Sequence, residues 1–212
     1  MSGRAGLASH AVKPSPDSGD GGVNATETCK SLTNPYLTIF LRLHASRVED
    51  NEHRAERLWK WRKRLTRSIS WAVPSEEALE TLVKASPILE IGAGTGYWAR
   101  MVRSRGGVVD AYDINCQEGT GVLRGDAEVV GHYGEEWTLM LCWPPLRGTM
   151  ASRALEAFRG HNLVYIGEPD GGCTGTPLFH QLLEAGWDCT GGCDIPQWNG
   201  VHDRLYTYRR RG

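Results

Sequence analysis

The stretch Pro87-Ile88-Leu89-Glu90-Ile91-Gly92-Ala93-Gly94-Thr95-Gly96-Tyr97-Trp98 decides the fold. Ile88, Leu89 and Ile91 form the short apolar run that a central parallel strand requires. Glycines at 92, 94 and 96 follow, and a backbone without Cβ atoms turns tightly and lets a ligand approach closely. The segment from Ala99 to Arg105 carries a helix, which Gly106-Gly107 ends. The stretch therefore reads as a buried strand running into a glycine turn and a helix.

Spacing separates the ligand classes that use such a turn. A dinucleotide fingerprint has G-x-G-x-x-G, and here Tyr97 stands at the last position. A phosphate-binding loop ends in Gly-Lys-Ser/Thr, which is absent. What stands here is acid-x-Gly-x-Gly-x-Gly, with Glu90 two residues before Gly92. A second strand, Val108 to Tyr112, ends at Asp113, roughly the 20-residue offset at which an acid meets ribose hydroxyls in nucleotide-binding units.

This arrangement resembles motif I of the class I S-adenosylmethionine-dependent methyltransferases, and the resemblance covers roughly Glu76 to Arg209. It implies an α/β, Rossmann-like three-layer sandwich. The seven-stranded, mostly parallel sheet would have the order 3-2-1-4-5-7-6 and an antiparallel last strand. It implies S-adenosyl-L-methionine as cofactor, held by Glu90, Gly92, Ala93, Gly94, Gly96 and Tyr97, with Asp113 and its neighbour Ile114 on the ribose side. By the same resemblance, Asp126 is the acid that meets the adenine amino group.

The rest of the 212-residue chain is consistent with one α/β domain plus a tail. A net charge of -1 argues against whole-molecule attraction to nucleic acid. The six cysteines are scattered without a C-x-x-C pair, which speaks against a zinc or redox motif and for a reduced, cytoplasmic protein. Cys142, in an apolar run, reads as a core residue. No apolar run approaches the ~20 residues of a membrane span, and no secretion signal is seen. No metal site is expected.

Three regions follow from composition. Residues 1–30 are rich in Gly, Ser, Pro and Asp and read as a disordered tail. Residues 31–72 read as a helical cap, with a short helix near Tyr36 to Leu43 and a long one from Ser46 to Ser70. Leu58, Trp61, Leu65 and Ile69 give that long helix an apolar stripe, and Lys60, Arg62, Lys63, Arg64 and Arg67 make its end basic. It reads either as a solvated helix or as a patch facing an anionic substrate. Residues 73–212 form the methyltransferase-like domain, in which Ser75 caps the helix that precedes the first strand. A third strand is expected within Arg124 to Val130.

The second strong signal is Trp137 to Cys142, a buried strand that stops at Trp143-Pro144-Pro145 because proline cannot donate to the ladder. Amino-group methyltransferases carry Asp/Asn-Pro-Pro-aromatic at this place. Here Trp143 replaces the acceptor and Leu146 the aromatic. An indole donates and cannot accept, so Trp143 is expected to wall the substrate, and the carbonyl of Trp143 or Pro144 to be free for it. Glu168, at the end of the fifth strand, is a candidate general base or substrate anchor, and His202 and Asp203 are further candidates for the base. Trp143, Pro144 and Glu168 are thus the catalytic candidates.

The function expected is methyl transfer to an N or O nucleophile of a small molecule, favoured by a rim of Trp98, Trp143 and Trp198. Two alternatives stand beside it. One is a nucleic acid or protein substrate, reached through the basic helix 60–67 and Arg209-Arg210-Arg211. The other is a non-catalytic cofactor-binding partner subunit.

Overall fold

The computed structural model describes residues 33–45 and 51–212. The expected tail, Cys29 and the start of the long helix lie outside the described residues. Two helices lead, α1 (Pro35–Ala45) and α2 (Asn51–Ser68). Asn34 caps α1: its Oδ1 accepts the Leu37 amide, and Pro35 takes the first helical position, where a missing N–H costs nothing. Helix α3 (Glu76–Lys84) opens at Ser75, whose hydroxyl accepts the Ala78 amide at 3.1 Å.

The strands are β1 (Ile88–Ile91), β2 (Val109–Asp113), β3 (Leu123–Arg124), β4 (Thr138–Cys142), β5 (Asn162–Gly167), β6 (Trp187–Asp194) and β7 (Arg204–Arg210). They form one sheet of order β3-β2-β1-β4-β5-β7-β6. The first five run parallel, and β7 runs antiparallel to both of its neighbours. Helices α4 (Tyr97–Arg103), α5 (Met150–Ala157) and α6 (Pro177–Gly186) make the crossovers. The third strand is shorter than expected: it spans two residues, and Ala127–His132 winds into a 3₁₀ turn. Gly125 sits at the break, where a Cβ would lie 2.8 Å from Tyr112 and Val129.

Alternation along the strands divides the core. Ile88, Met140, Val164 and Ile166 face the layer that holds α1 to α4, whereas Leu89, Ile91, Leu139, Leu141 and Tyr165 face α5 and α6. Both faces are thereby covered, as a parallel sheet requires. The leading helices share the first layer: Tyr36, Phe40, Leu58 and Leu65 are buried with the sheet residues. Asn34 donates to the Pro74 carbonyl and accepts from the Tyr97 hydroxyl, which ties the start of α1 to the start of α4.

A candidate cofactor and acceptor site at the strand ends

The glycine turn after β1 is suspended from the end of β2. The Tyr112 carbonyl accepts the amides of Gly92 and Ala93 at 2.8 and 2.9 Å, and Asp113 Oδ2 accepts the Gly94 amide at 2.8 Å. Asp113 Oδ1 takes the Asn115 amide. All three glycines have positive φ, so the turn needs them. Gly96 needs glycine twice over, because a Cβ there would lie 2.5 Å from Val122. Gly94 faces open space, leaving a recess that a side chain would fill.

Below the turn lies a cavity of about 340 Å³. Glu90, Gly92, Ala93, Gly94 and Asp113 line it on the β1–β2 side. Cys142 and Trp143 line it at the end of β4, and Arg67 and Trp71 line it from α2 and the segment that follows. Ligands of open parallel sheets bind here, beyond the carboxyl ends of the strands. Glu90 is 1% exposed, and its Oε2 has no hydrogen-bond partner. Burial pushes its carboxyl up to about 8, with Arg103 opposing. The indole Nε1 of Trp98, 2% exposed, is likewise without a partner.

Some residues expected at the site lie outside this cavity. Tyr97 turns its hydroxyl toward α1. Ile114 is 60% exposed. Asp126 pairs with Arg153 at 3.3 Å. None of the three is among the cavity's lining residues, nor is Gly96. Trp198 packs edge-on against Phe40, away from the other two tryptophans expected at the rim.

The end of β4 is built from side chains. Trp143 has φ +50°, making it the one non-glycine with positive φ among the described residues. Its Nε1 donates to Asp203 Oδ2 at 2.7 Å, and its ring stacks on Trp71 with centroids 5.4 Å apart. Asp203 is 2% exposed, and its Oδ1 has no partner. Burial raises that carboxyl to about 6, although the Trp143 hydrogen bond opposes the shift. The Pro144 carbonyl, expected to be free, accepts the Gly175 amide at 2.8 Å and braces the loop after β5.

Glu168 has a similar bracing part. Its two carboxyl oxygens accept the amides of Cys173 and His202, each at 2.7 Å. Burial alone would raise this carboxyl, but the hydrogen bonds from Cys173 and His202 outweigh it and hold the group below its usual range. A carboxylate so satisfied and so acidic is a poor base, and it does not line the cavity. Cys142 is half-buried at the cavity wall, and burial raises its thiol far above the ordinary range.

Sequence reading had passed over Trp71, Thr66, Asn115 and Gln117, which also line the cavity. Asn115 and Gln117 follow Asp113 closely, and that adjacency was the available signal. Nothing local marks Trp71, because its place depends on how α2 docks.

No family model and no curated protein matches the chain. Among solved structures it is similar to magnesium protoporphyrin IX methyltransferase of Synechocystis PCC 6803 with bound SAM. The TM-score is 0.50 at 12% identity, over 84% of this chain and 93% of that one. It is also similar to a 1,6-didemethyltoxoflavin-N1-methyltransferase of Burkholderia thailandensis, at TM-score 0.43 and 16% identity, over 85% and 91% of the two chains. The fold is that of the class I methyltransferases. Among the described residues no helix is long and apolar enough to cross a membrane, and no cluster of three metal-ligating side chains occurs.

Proposed function

We propose that this chain is an S-adenosylmethionine-dependent methyltransferase acting on an N or O nucleophile of a small molecule. One observation carries the reading: Asp113, at the end of β2, pins the glycine turn over a cavity lined by Glu90, whose buried Oε2 has no partner.

The residues present fit the cofactor. The recess at Gly94 admits a ligand against the backbone. Each Asp113 oxygen spends one lone pair on a backbone amide and keeps capacity to accept a sugar hydroxyl. The Glu90 Oε2 and the Trp98 Nε1 are an acceptor and a donor, both buried and both waiting for partners. When bound, S-adenosylmethionine supplies a methyl group already activated on a sulfonium.

The chain's own part is then binding, orientation and exclusion of water. Asp113 and the glycine turn fix one end of the cavity. Trp143, locked by Asp203, closes the other with an aromatic wall suited to a cation. Cys142 stays a neutral thiol and adds apolar surface. Glu168 is committed to its loop amides, so the nucleophile must attack with a free lone pair and lose its proton to solvent after transfer. An amine fits that condition.

Calorimetry with S-adenosylmethionine and S-adenosylhomocysteine tests the reading. Saturable one-to-one binding of both is expected, followed by transfer of labelled methyl to an amine acceptor panel. Absence of binding by the purified full chain sinks the proposal.

A further inference from the structure

Beside the cavity runs a groove of about 240 Å³, lined by Trp59, Arg62, Lys63, Thr66, Arg67 and Trp71. It shares Thr66, Arg67 and Trp71 with the cavity, so the two spaces meet at one wall. Trp59, Arg62, Lys63, Thr66 and Arg67 lie at helical offsets of three, four, seven and eight, which places them on one face of α2.

Two properties of this groove point to a ligand. First, its charge has one sign. Among the described lining residues there is no carboxylate, and Arg62, Lys63 and Arg67 form no ion pair among the described residues, although Arg62 acts at longer range on the buried Asp203 carboxyl. Lys60, by contrast, is on the same helix and is paired with Glu56 at 2.7 Å. Second, its ends are exposed tryptophans. Trp59 and Trp71 keep 59% and 50% of their surface in water, and Lys63 already lies 5.3 Å over the Trp59 ring. Exposed flat rings beside cations that make no ion pair recognise a flat ring that carries negative charge.

We infer that the groove binds the acceptor substrate, and that this substrate is a small planar aromatic anion bearing a carboxylate or phosphate. The inference rests on the methyltransferase reading for the word acceptor. The size sets the class: the groove lies below the ~300–1,000 Å³ of drug-sized pockets, so it takes one or two fused rings. The ring lies between Trp59 and Trp71, and the anionic group meets Arg62 and Lys63. Thr66, Arg67 and Trp71 line both spaces, so a ligand in the groove lies against the wall it shares with the cofactor cavity.

A polynucleotide is the less suited occupant. The whole chain carries a net charge of -1. The terminal arginines are also engaged: Arg210 donates to the Gly160 and Phe158 carbonyls, and Arg211 bonds Asp188 and the carbonyls of Glu184 and Ala185.

The test uses the full chain and three probes followed by calorimetry: 2-naphthoate, its neutral analogue 2-naphthamide, and the non-aromatic anion cyclohexanecarboxylate. Naphthoate should bind roughly tenfold or more tightly than either control, since each lacks one of the two contacts. Arg62→Gln with Lys63→Gln should weaken naphthoate by a similar roughly tenfold factor, with S-adenosylhomocysteine affinity retained. The charge-keeping pair Arg62→Lys with Lys63→Arg should restore most of it and guards against misfolding. Equal binding of naphthoate and naphthamide, or an unchanged double variant, overturns the proposal. So does a single-stranded RNA oligomer that displaces naphthoate at lower concentration with a steep salt dependence. Titrations with and without S-adenosylhomocysteine separate the two readings. If naphthoate binds and S-adenosylhomocysteine does not, the groove stands and the methyltransferase reading fails.

Discussion

The ends of β1 and β4 line one cavity but are built in opposite ways. After β1, backbone geometry makes the site: three positive-φ glycines shape the turn, and the amides of Gly92, Ala93 and Gly94 hang from the Tyr112 carbonyl and the Asp113 carboxylate. After β4, a single strained tryptophan is held by partners far off in the chain, Trp71 and Asp203. Each end also keeps one buried carboxyl with an unpartnered oxygen, Glu90 and Asp203. A site meant for a fixed cofactor can be written into the backbone. A site meant for a variable acceptor is carried on side chains, which change without disturbing the turn.

The largest expected effect contrasts those two carboxyls through pH. Glu90 is raised from 4.5 to about 8 by burial. The native state therefore holds a proton between those values that the unfolded chain has released. Stability accordingly falls as pH rises from about 4.5 to 8, then levels off. Asp203, raised from 3.8 to about 6, adds a smaller loss confined to that lower window. Glu90→Gln should flatten the melting temperature between pH 6 and 8, and Asp203→Asn should leave that part of the slope intact. If both variants keep the wild-type slope, neither carboxyl is desolvated as described.

Next comes the brace at β4. Trp143→Phe deletes the indole N–H and leaves both Asp203 oxygens buried without a partner, at about 1–3 kcal/mol or more if the charge persists. Asp203→Leu removes the acceptor instead. The double variant should be less destabilised than the sum of the two, with a coupling of about 1–3 kcal/mol in a denaturation cycle. Additive losses would mean that Asp203 does not hold Trp143.

At the β1 end, Asp113→Ala should act on binding rather than on the core. It removes the acceptor of the Gly94 amide and, on the proposed function, the acceptor for the cofactor sugar. Affinity for S-adenosylhomocysteine should fall by about 1.5–3 kcal/mol, or ~10–150-fold, in calorimetry. Unchanged affinity would detach the ribose role from Asp113.

The same contrast explains what could be read from the sequence. The fold and the glycine turn after β1 were legible because glycine spacing, apolar runs and proline stops act locally. The strand order and the antiparallel β7 agree with that reading. The β4 end was legible only in part. Trp143 was marked by the double proline beside it, but its brace joins residues 60 positions apart, and its stacking partner comes from the segment after α2. The expected base, Glu168, looked free because nothing local shows that the Cys173 and His202 amides converge on it. The third strand is cut short at Arg124, and the chain enters a 3₁₀ segment at Ala127.

The smallest effect concerns Trp71, and it bears on whether the β4 end is coupled to the leading helices. Its ring is half exposed and offset-stacked on Trp143 with the planes 15° apart. An aromatic pair of this kind is worth about 0.5–1.5 kcal/mol beyond the area it covers. Trp71→Ala should therefore lower the melting temperature by a few degrees, since about 1 kcal/mol shifts a domain of this size by ~2–4 °C. Trp71→Phe should recover part of the loss, because a smaller ring can still stack. The informative measurement is the same pair of substitutions made in Trp143→Ala. With its partner gone, Trp71 has no ring to cover, and a second substitution should cost almost nothing. An undiminished loss would show that Trp71 is fastened to α2 alone, and would leave the β4 end supported by Asp203 without help from the cap.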